Sequence, residues 1–135
     1  MKLNLIFLLI TLNSFGQNST VKQTPEKGIL ISSAQISKYK VVKIKNVNFD
    51  LVLENRDTIY IQTNETKFIT KEGYHVGQTF SELPSLVKES LVKEDGWGYF
   101  YTFPSGWSIA FCEEETCTGN YPNEDSKIKW IFKRK

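Results

Sequence analysis

The residues able to do chemistry are few and widely spaced. His75 is the only histidine, and Cys112 and Cys117 are the only cysteines, with Glu113, Glu114 and Glu115 between them. A hydrolase needs a nucleophile, a base and an orienting group within hydrogen-bond reach. His75 offers a base, but no serine lies in a nucleophile-elbow motif. A cysteine nucleophile requires a free thiol. In an exported chain an even pair of cysteines points first to a disulfide, here Cys112–Cys117. Free thiols are one alternative. A metal site with the adjacent glutamates is another, and two thiols with one distant histidine make a poor ligand set for it. The glutamate run is expected to be a solvated loop rather than a glycosidase acid pair. No phosphate-cradling glycine loop is present, and no helix carries two ligands at i, i+4. The expectation is therefore no catalytic set, no cofactor and no metal, with a hydrolase built around His75 as a distant alternative.

Binding chemistry is more visible. The stretch GWGYFYTFPSGW, residues 96–107, carries six aromatic rings in twelve residues. Exposed, such rings would stack on sugars or bases; buried, they would be one face of a hairpin. The turn decides between the two. Pro104 presets φ for the second turn position, Ser105 suits the third, and Gly106 suits the left-handed bulge that follows. This type I turn with a bulge sets a register. Phe103 faces Trp107, Tyr101 faces Ile109 and Tyr99 faces Phe111 on one side. Thr102 with Ser108, Phe100 with Ala110 and Gly98 with Cys112 make up the other. The first face is aromatic and the second mostly small, as in a sheet packed on one side. Trp97 lies beyond the stripe, opposite Glu113, where it is expected at the rim. The candidate ligand contacts are Trp97, Tyr99 and Tyr74.

These residues need elements to hold them. Strand patterns occur at residues 40–47 and on both sides of Asn55, Arg56 and Asp57. A three-residue loop there pairs Leu53 with Ile59 and Leu51 with Ile61, whereas a two-residue loop would mix the faces. A further hairpin around Gly73 would pair Phe68 with Val76 and Ile69 with His75. Phe80, Leu83, Val87 and Leu91 have helical spacing, and Thr79 with Glu82 has the form of a capping box. Pro84 fits only the first turn of a helix, which places the helix near residues 81–90, with or without a single turn before it. In KIKWIFK, residues 127–133, Ile128, Trp130 and Phe132 share one face. The lysines on the other suggest an edge strand, and the terminal KRK suggests a solvated tail. The predicted fold is α+β: a twisted, mainly antiparallel sheet of about six to eight strands packed against one helix.

The beginning of the chain reads as an address. Lys2 precedes the apolar run LNLIFLLITL, which is too short to span a bilayer as a helix. Ser14 and Gly16 then supply small residues for signal peptidase, with a cut expected between Gly16 and Gln17. Residues 1–16 are thus a signal peptide, 17–28 a flexible polar arm, and 29–135 a single domain. The product would be periplasmic or secreted, without stable membrane insertion. The whole chain carries a net charge of +2, and without Lys2 this falls to +1. No concentrated basic patch indicates a nucleic-acid partner.

The motifs EGYHVGQTFSELPSL and GWGYFYTFPSGWSIAF together resemble a pattern of small exported domains of Bacteroidota, with no established activity attached. The signal ending SFGQ fits that source. Gly77-Gln78-Thr79 before a helix is loosely similar to the lead-in of BamE-like and β-lactamase-inhibitor-protein-like modules, which bind other proteins. That resemblance implies a non-enzymatic module for a protein or envelope component. A carbohydrate or small-ligand binder using rim aromatics is the alternative.

Overall fold

The computed structural model describes residues 27–135. The expected signal peptide and most of the arm lie outside them. Among the described residues, nine strands form two antiparallel sheets. Strands β1 (Gly28–Ser32) and β2 (Gln35–Lys38) pair as a small hairpin. The larger sheet contains β3 (Lys40–Ile44), β4 (Val47–Glu54), β5 (Asp57–Thr63), β6 (Val92–Glu94), β7 (Gly98–Thr102), β8 (Ser108–Phe111) and β9 (Trp130–Arg134). Its order is β3-β4-β5-β9-β8-β7-β6, so the last strand in sequence lies between two meanders.

The antiparallel sheet agrees with expectation, but the helix does not. Phe80–Glu82 form a 3₁₀ turn and Ser85–Lys88 a four-residue α-helical turn, α1. Pro84 separates them in extended conformation, because its ring cannot follow Phe80 and Ser81 around a continuous helix. Phe80, Leu83 and Val87 still enter the core, carried by an irregular segment rather than a packed helix. The capping glutamate is present: the Glu82 carboxylate accepts from the Thr79 hydroxyl at 2.7 Å and its N–H at 3.3 Å. These bonds, the hydroxyl first, hold its pKa below the usual carboxylate value.

Both faces of the sheet are buried, which one-sided alternation did not predict. On the first face, Tyr99, Phe103, Ile109, Phe111 and Ile131 pack against Val76, Phe80, Leu83, Val87 and Ile128. On the second, Val52, Tyr60, Phe100, Ala110, Phe132 and Trp97 pack against Ile31 of β1. The hairpin β1–β2 therefore acts as the second lid. Gly28, expected to end the flexible arm, opens this hairpin.

The aromatic hairpin has the predicted register, with Tyr99 opposite Phe111, Tyr101 opposite Ile109 and Thr102 opposite Ser108. Phe103 N–H donates to the Trp107 carbonyl at 2.9 Å, and Gly106 takes φ +92°. Glu72 locks this turn from outside. It accepts from the Ser105 hydroxyl at 2.9 Å and the Ser105 N–H at 3.1 Å. Partial burial raises its pKa, yet the two Ser105 bonds outweigh that and leave it lowered. A lowered folded pKa stabilises above the unfolded value, and the contribution is lost as pH falls through the folded one. Glu72→Gln should therefore lose less stability than wild type between about pH 7 and about pH 3. Urea midpoints at the two pH values measure the difference; equal losses would remove Glu72 from the acid response.

Three strand expectations need correction. The β4–β5 loop is the two-residue Asn55–Arg56 turn, with φ +52° and +72°. A bulge between Val52 and Leu53 pairs Leu53 with Thr58 and restores Leu51 opposite Ile61, so no faces mix. Around Gly73 the turn exists, with the Gly73 N–H bonded to the Thr70 carbonyl, but no ladder extends from it. Finally, β9 is central. Ile131 is buried on one face and Phe132 on the other, and Lys133 escapes by lying 5.1 Å over the Trp107 ring.

Candidate functional site

One of the two edges of the large sheet, the one opposite β6, is built around KYKVVKIKNV, residues 38–47. Its β-branched residues favour a strand, and Lys45-Asn46 supply a two-residue turn with φ +50° and +68°. That turn places Ile44 opposite Val47 and Val42 opposite Phe49. In an antiparallel ladder, residues opposite each other alternate between bonded and non-bonded pairs. With Ile44–Val47 bonded across the short turn, the N–H and C=O groups of Val41 and Lys43 face away from β4. No described strand pairs with them.

This edge is apolar as well as open. Val41 is 59% exposed and Ile44 48%. At the turn end, Ile44, Val47, Phe49, Phe68 and Ile69 line a cleft of about 340 Å³, with Lys45 and Lys67 beside it. Val47 and Phe49 are its buried floor, and Ile69, 61% exposed, its rim. Phe49 and Phe68 meet edge to face at 5.3 Å, which fixes the floor against the wall.

The edge is also basic. Lys38, Lys40, Lys43 and Lys45 fall within eight residues containing no acid. Lys67 is engaged: it donates to the Asn46 carbonyl at 2.7 Å and pairs with Glu65 at 3.3 Å. Glu65 in turn accepts from the Asn48 N–H; that bond, then Lys67, lowers its pKa. Lys40, Lys43 and Lys45 form no ion pair among the described residues.

The predicted aromatic contacts do not form one surface. Trp97 is not at the rim: it is 4% exposed and belongs to the second core. The reason is local. Asp95, Gly96 and Trp97 make the turn between β6 and β7, with Gly96 at φ +74°, so the alternation of β7 does not reach Trp97. Its indole N–H donates to the Leu30 carbonyl at 3.0 Å. Tyr99 is 7% exposed on the opposite face, against Tyr121 at 5.0 Å. Tyr74 is half-buried and stacked on Phe103 at 4.8 Å.

The residues of the enzyme alternative are also separated. The Nδ1 atom of His75 lies 3.0 Å from the Val76 carbonyl, and among the described residues no hydroxyl or thiol bonds to its ring. Cys112 and Cys117 form the expected disulfide. Among the described residues, no group of three His, Cys, Asp or Glu side chains is arranged to hold a metal ion, and no helix is long and apolar enough to cross a membrane. Reducing the disulfide should lower stability by about 2 kcal/mol, the chain entropy of so short a loop. Urea unfolding with and without reductant measures this. Collapse of the fold on reduction would mean that the loop does more than link its own ends.

The residues that pin the second lid were missed in the sequence. Arg134, expected in a solvated tail, lies 4.9 Å over Trp97, 5.5 Å from Phe100 and 5.6 Å from Phe132. It donates to the Ile31 carbonyl at 2.9 Å and pairs with Glu94, which accepts from Ser33 N–H at 3.3 Å. Nearby, burial pushes the Tyr60 phenol far above its ordinary pKa. Its hydroxyl donates to Gln62 at 2.8 Å, and Gln62 donates to Asp50 at 3.0 Å. This chain of bonds satisfies the phenol inside the core; it brings no reactive pair together.

No protein-family model and no curated protein matches the chain. Among solved structures, it is similar to the uncharacterized protein yfeY from Escherichia coli, with 18% sequence identity and a TM-score of 0.48, over 72% of this chain and 80% of that one.

Proposed function

We propose that this protein is an exported, non-enzymatic binding module that takes an extended segment of another protein along the edge of β3. One observation carries the reading: Val41 and Lys43 turn backbone groups outward that no described strand pairs, beside an apolar cleft lined by Ile44, Phe49, Phe68 and Ile69. An added strand gains main-chain hydrogen bonds from such an edge and side-chain selectivity from such a cleft. The disulfide suits an oxidising compartment outside the cytoplasm. Burial of Trp97 and Tyr99 gives the carbohydrate alternative no surface made from those rings.

The test uses the outward geometry. In Val41→Pro the ring removes an N–H that does not serve the β3–β4 ladder, and proline is tolerated at such edge positions. The variant should fold as wild type does, yet lose binding to peptides selected on the chain from a displayed random library. Ile69→Asp should weaken the same peptides by closing the cleft to apolar side chains. Selected peptides that bind both variants at full affinity would refute the edge as the site.

A further inference from the structure

We infer that the segment received by β3 is acidic and apolar in a set order, an inference that rests on the edge reading above. The order follows from the register. Lys40, Val42 and Ile44 project to the face bearing the cleft, since Val42 and Ile44 oppose Phe49 and Val47. Val41 and Lys43 project to the other face. An antiparallel guest strand, read from its N-terminus, would meet Ile44, Lys43, Val42, Val41 and Lys40 in turn. Directly opposed side chains attract when one is apolar and matched or when charges are opposite. Val42 is less exposed than Val41 and leaves the position opposite it unconstrained, so the guest pattern is apolar, acidic, free, apolar, acidic. Its first residue lies over the cleft, and its two carboxylates meet lysines on opposite faces.

Charge selects this occupant over a second copy of the chain. Lysines on an edge normally discourage like edges from pairing. Two β3 strands side by side would bring two sets of Lys40, Lys43 and the adjoining Lys45 to one seam, where like charges repel. A neutral guest gains the backbone bonds and the apolar contacts alone. An acidic guest gains those bonds and also pairs with Lys40 and Lys43, neither of which has an acidic partner among the described residues.

The experiment compares two synthetic peptides of about ten residues on the full chain with its disulfide intact. One has an Ile-Glu-Thr-Val-Glu core and the other the Ile-Gln-Thr-Val-Gln counterpart. The glutamate peptide should bind roughly tenfold more tightly at low salt, with the advantage shrinking as salt screens it. It should slow hydrogen exchange at the Val41 and Lys43 amides. The double variant Lys40→Glu/Lys43→Glu should reverse the preference. Equal affinity of the two peptides, with the β3 amides protected by both, would overturn the acidic preference and leave edge docking standing. Failure of both peptides to protect those amides would overturn the acidic preference and edge docking together. Concentration-dependent dimerisation abolished by Val41→Pro would give the edge to a second copy and overturn the inference.

Discussion

Trp97→Ala is expected to destabilise the protein by about 3–5 kcal/mol, the usual range for removing a large buried aromatic. Trp97 meets Phe132 at 5.0 Å, Trp130 at 5.5 Å and Phe100 at 5.6 Å, each nearly perpendicular. Its removal would leave a cavity under the β1–β2 hairpin that none of these locked rings can fill. The Leu30 carbonyl would also lose its donor. Trp97→Phe separates the two effects: it keeps a ring but no N–H, and should cost about 1 kcal/mol from the hydrogen bond before any loss of packing. Urea unfolding measures both. A ligand-contact role predicts the reverse, with unchanged stability of Trp97→Ala and altered ligand response. Stability within experimental error of wild type would therefore reopen that role.

Arg134→Ala should cost on the order of 2–3 kcal/mol, between the values for exposed and buried pairs, with cation–π contacts added. The side chains of Arg134 and Glu94 are 27% and 21% exposed, so water screens their attraction only in part. The loss should be local in its consequence. Arg134 and Glu94 both bond to the backbone of the hairpin, at Ile31 and Ser33. Amide exchange in β1 and β2 should accelerate more than exchange in β8 and β9. Arg134→Lys keeps the charge but loses the planar fork and the stacking, and should recover little. The cycle with Glu94→Ala should return a coupling of about 1–2 kcal/mol. Additive single losses would show that the two side chains hold the hairpin independently.

What was legible in the sequence was local and turn-driven. Pro104, Ser105 and Gly106 specify one turn, and that turn fixed every pairing of β7 with β8. The same reasoning failed where the punctuation was weaker. Ser33 and Ala34 connect β1 to β2 without glycine, proline or asparagine, so the lid over the second face left no turn signal. With that lid unseen, Phe100 and Ala110 looked like an outer face. The β4–β5 connection misled for another reason: a bulge can absorb one residue of register, and period-2 alternation does not reveal it. The helix prediction placed Pro84 in the first turn of one helix, whereas Pro84 is extended and divides the segment into two single turns.

The candidate edge shows the limit of pattern more sharply. KVVKIK and KIKWIFK have similar alternations of lysine with apolar residues, yet one forms an open edge and the other leads into the central strand. Their positions differ through long-range pairing. Ile131 meets Thr63 on one side and Ile109 on the other, partners far away in the chain. Nothing within either segment encodes that choice.

The central position of β9 also governs the order in which the protein can assemble. The meanders β3–β4–β5 and β6–β7–β8 join neighbours in sequence, so each needs only short loop closures. Their union waits for a strand made after both of them. Until Trp130–Arg134 arrives, β5 and β8 each present a bare flank, the usual starting point for association between chains. The same five residues bring Arg134 to the lid. A nascent or truncated chain ending before Trp130 would thus lack both the seam between its halves and the clasp on its second face, which makes it a substrate for holding chaperones and quality-control proteases rather than a smaller version of the fold.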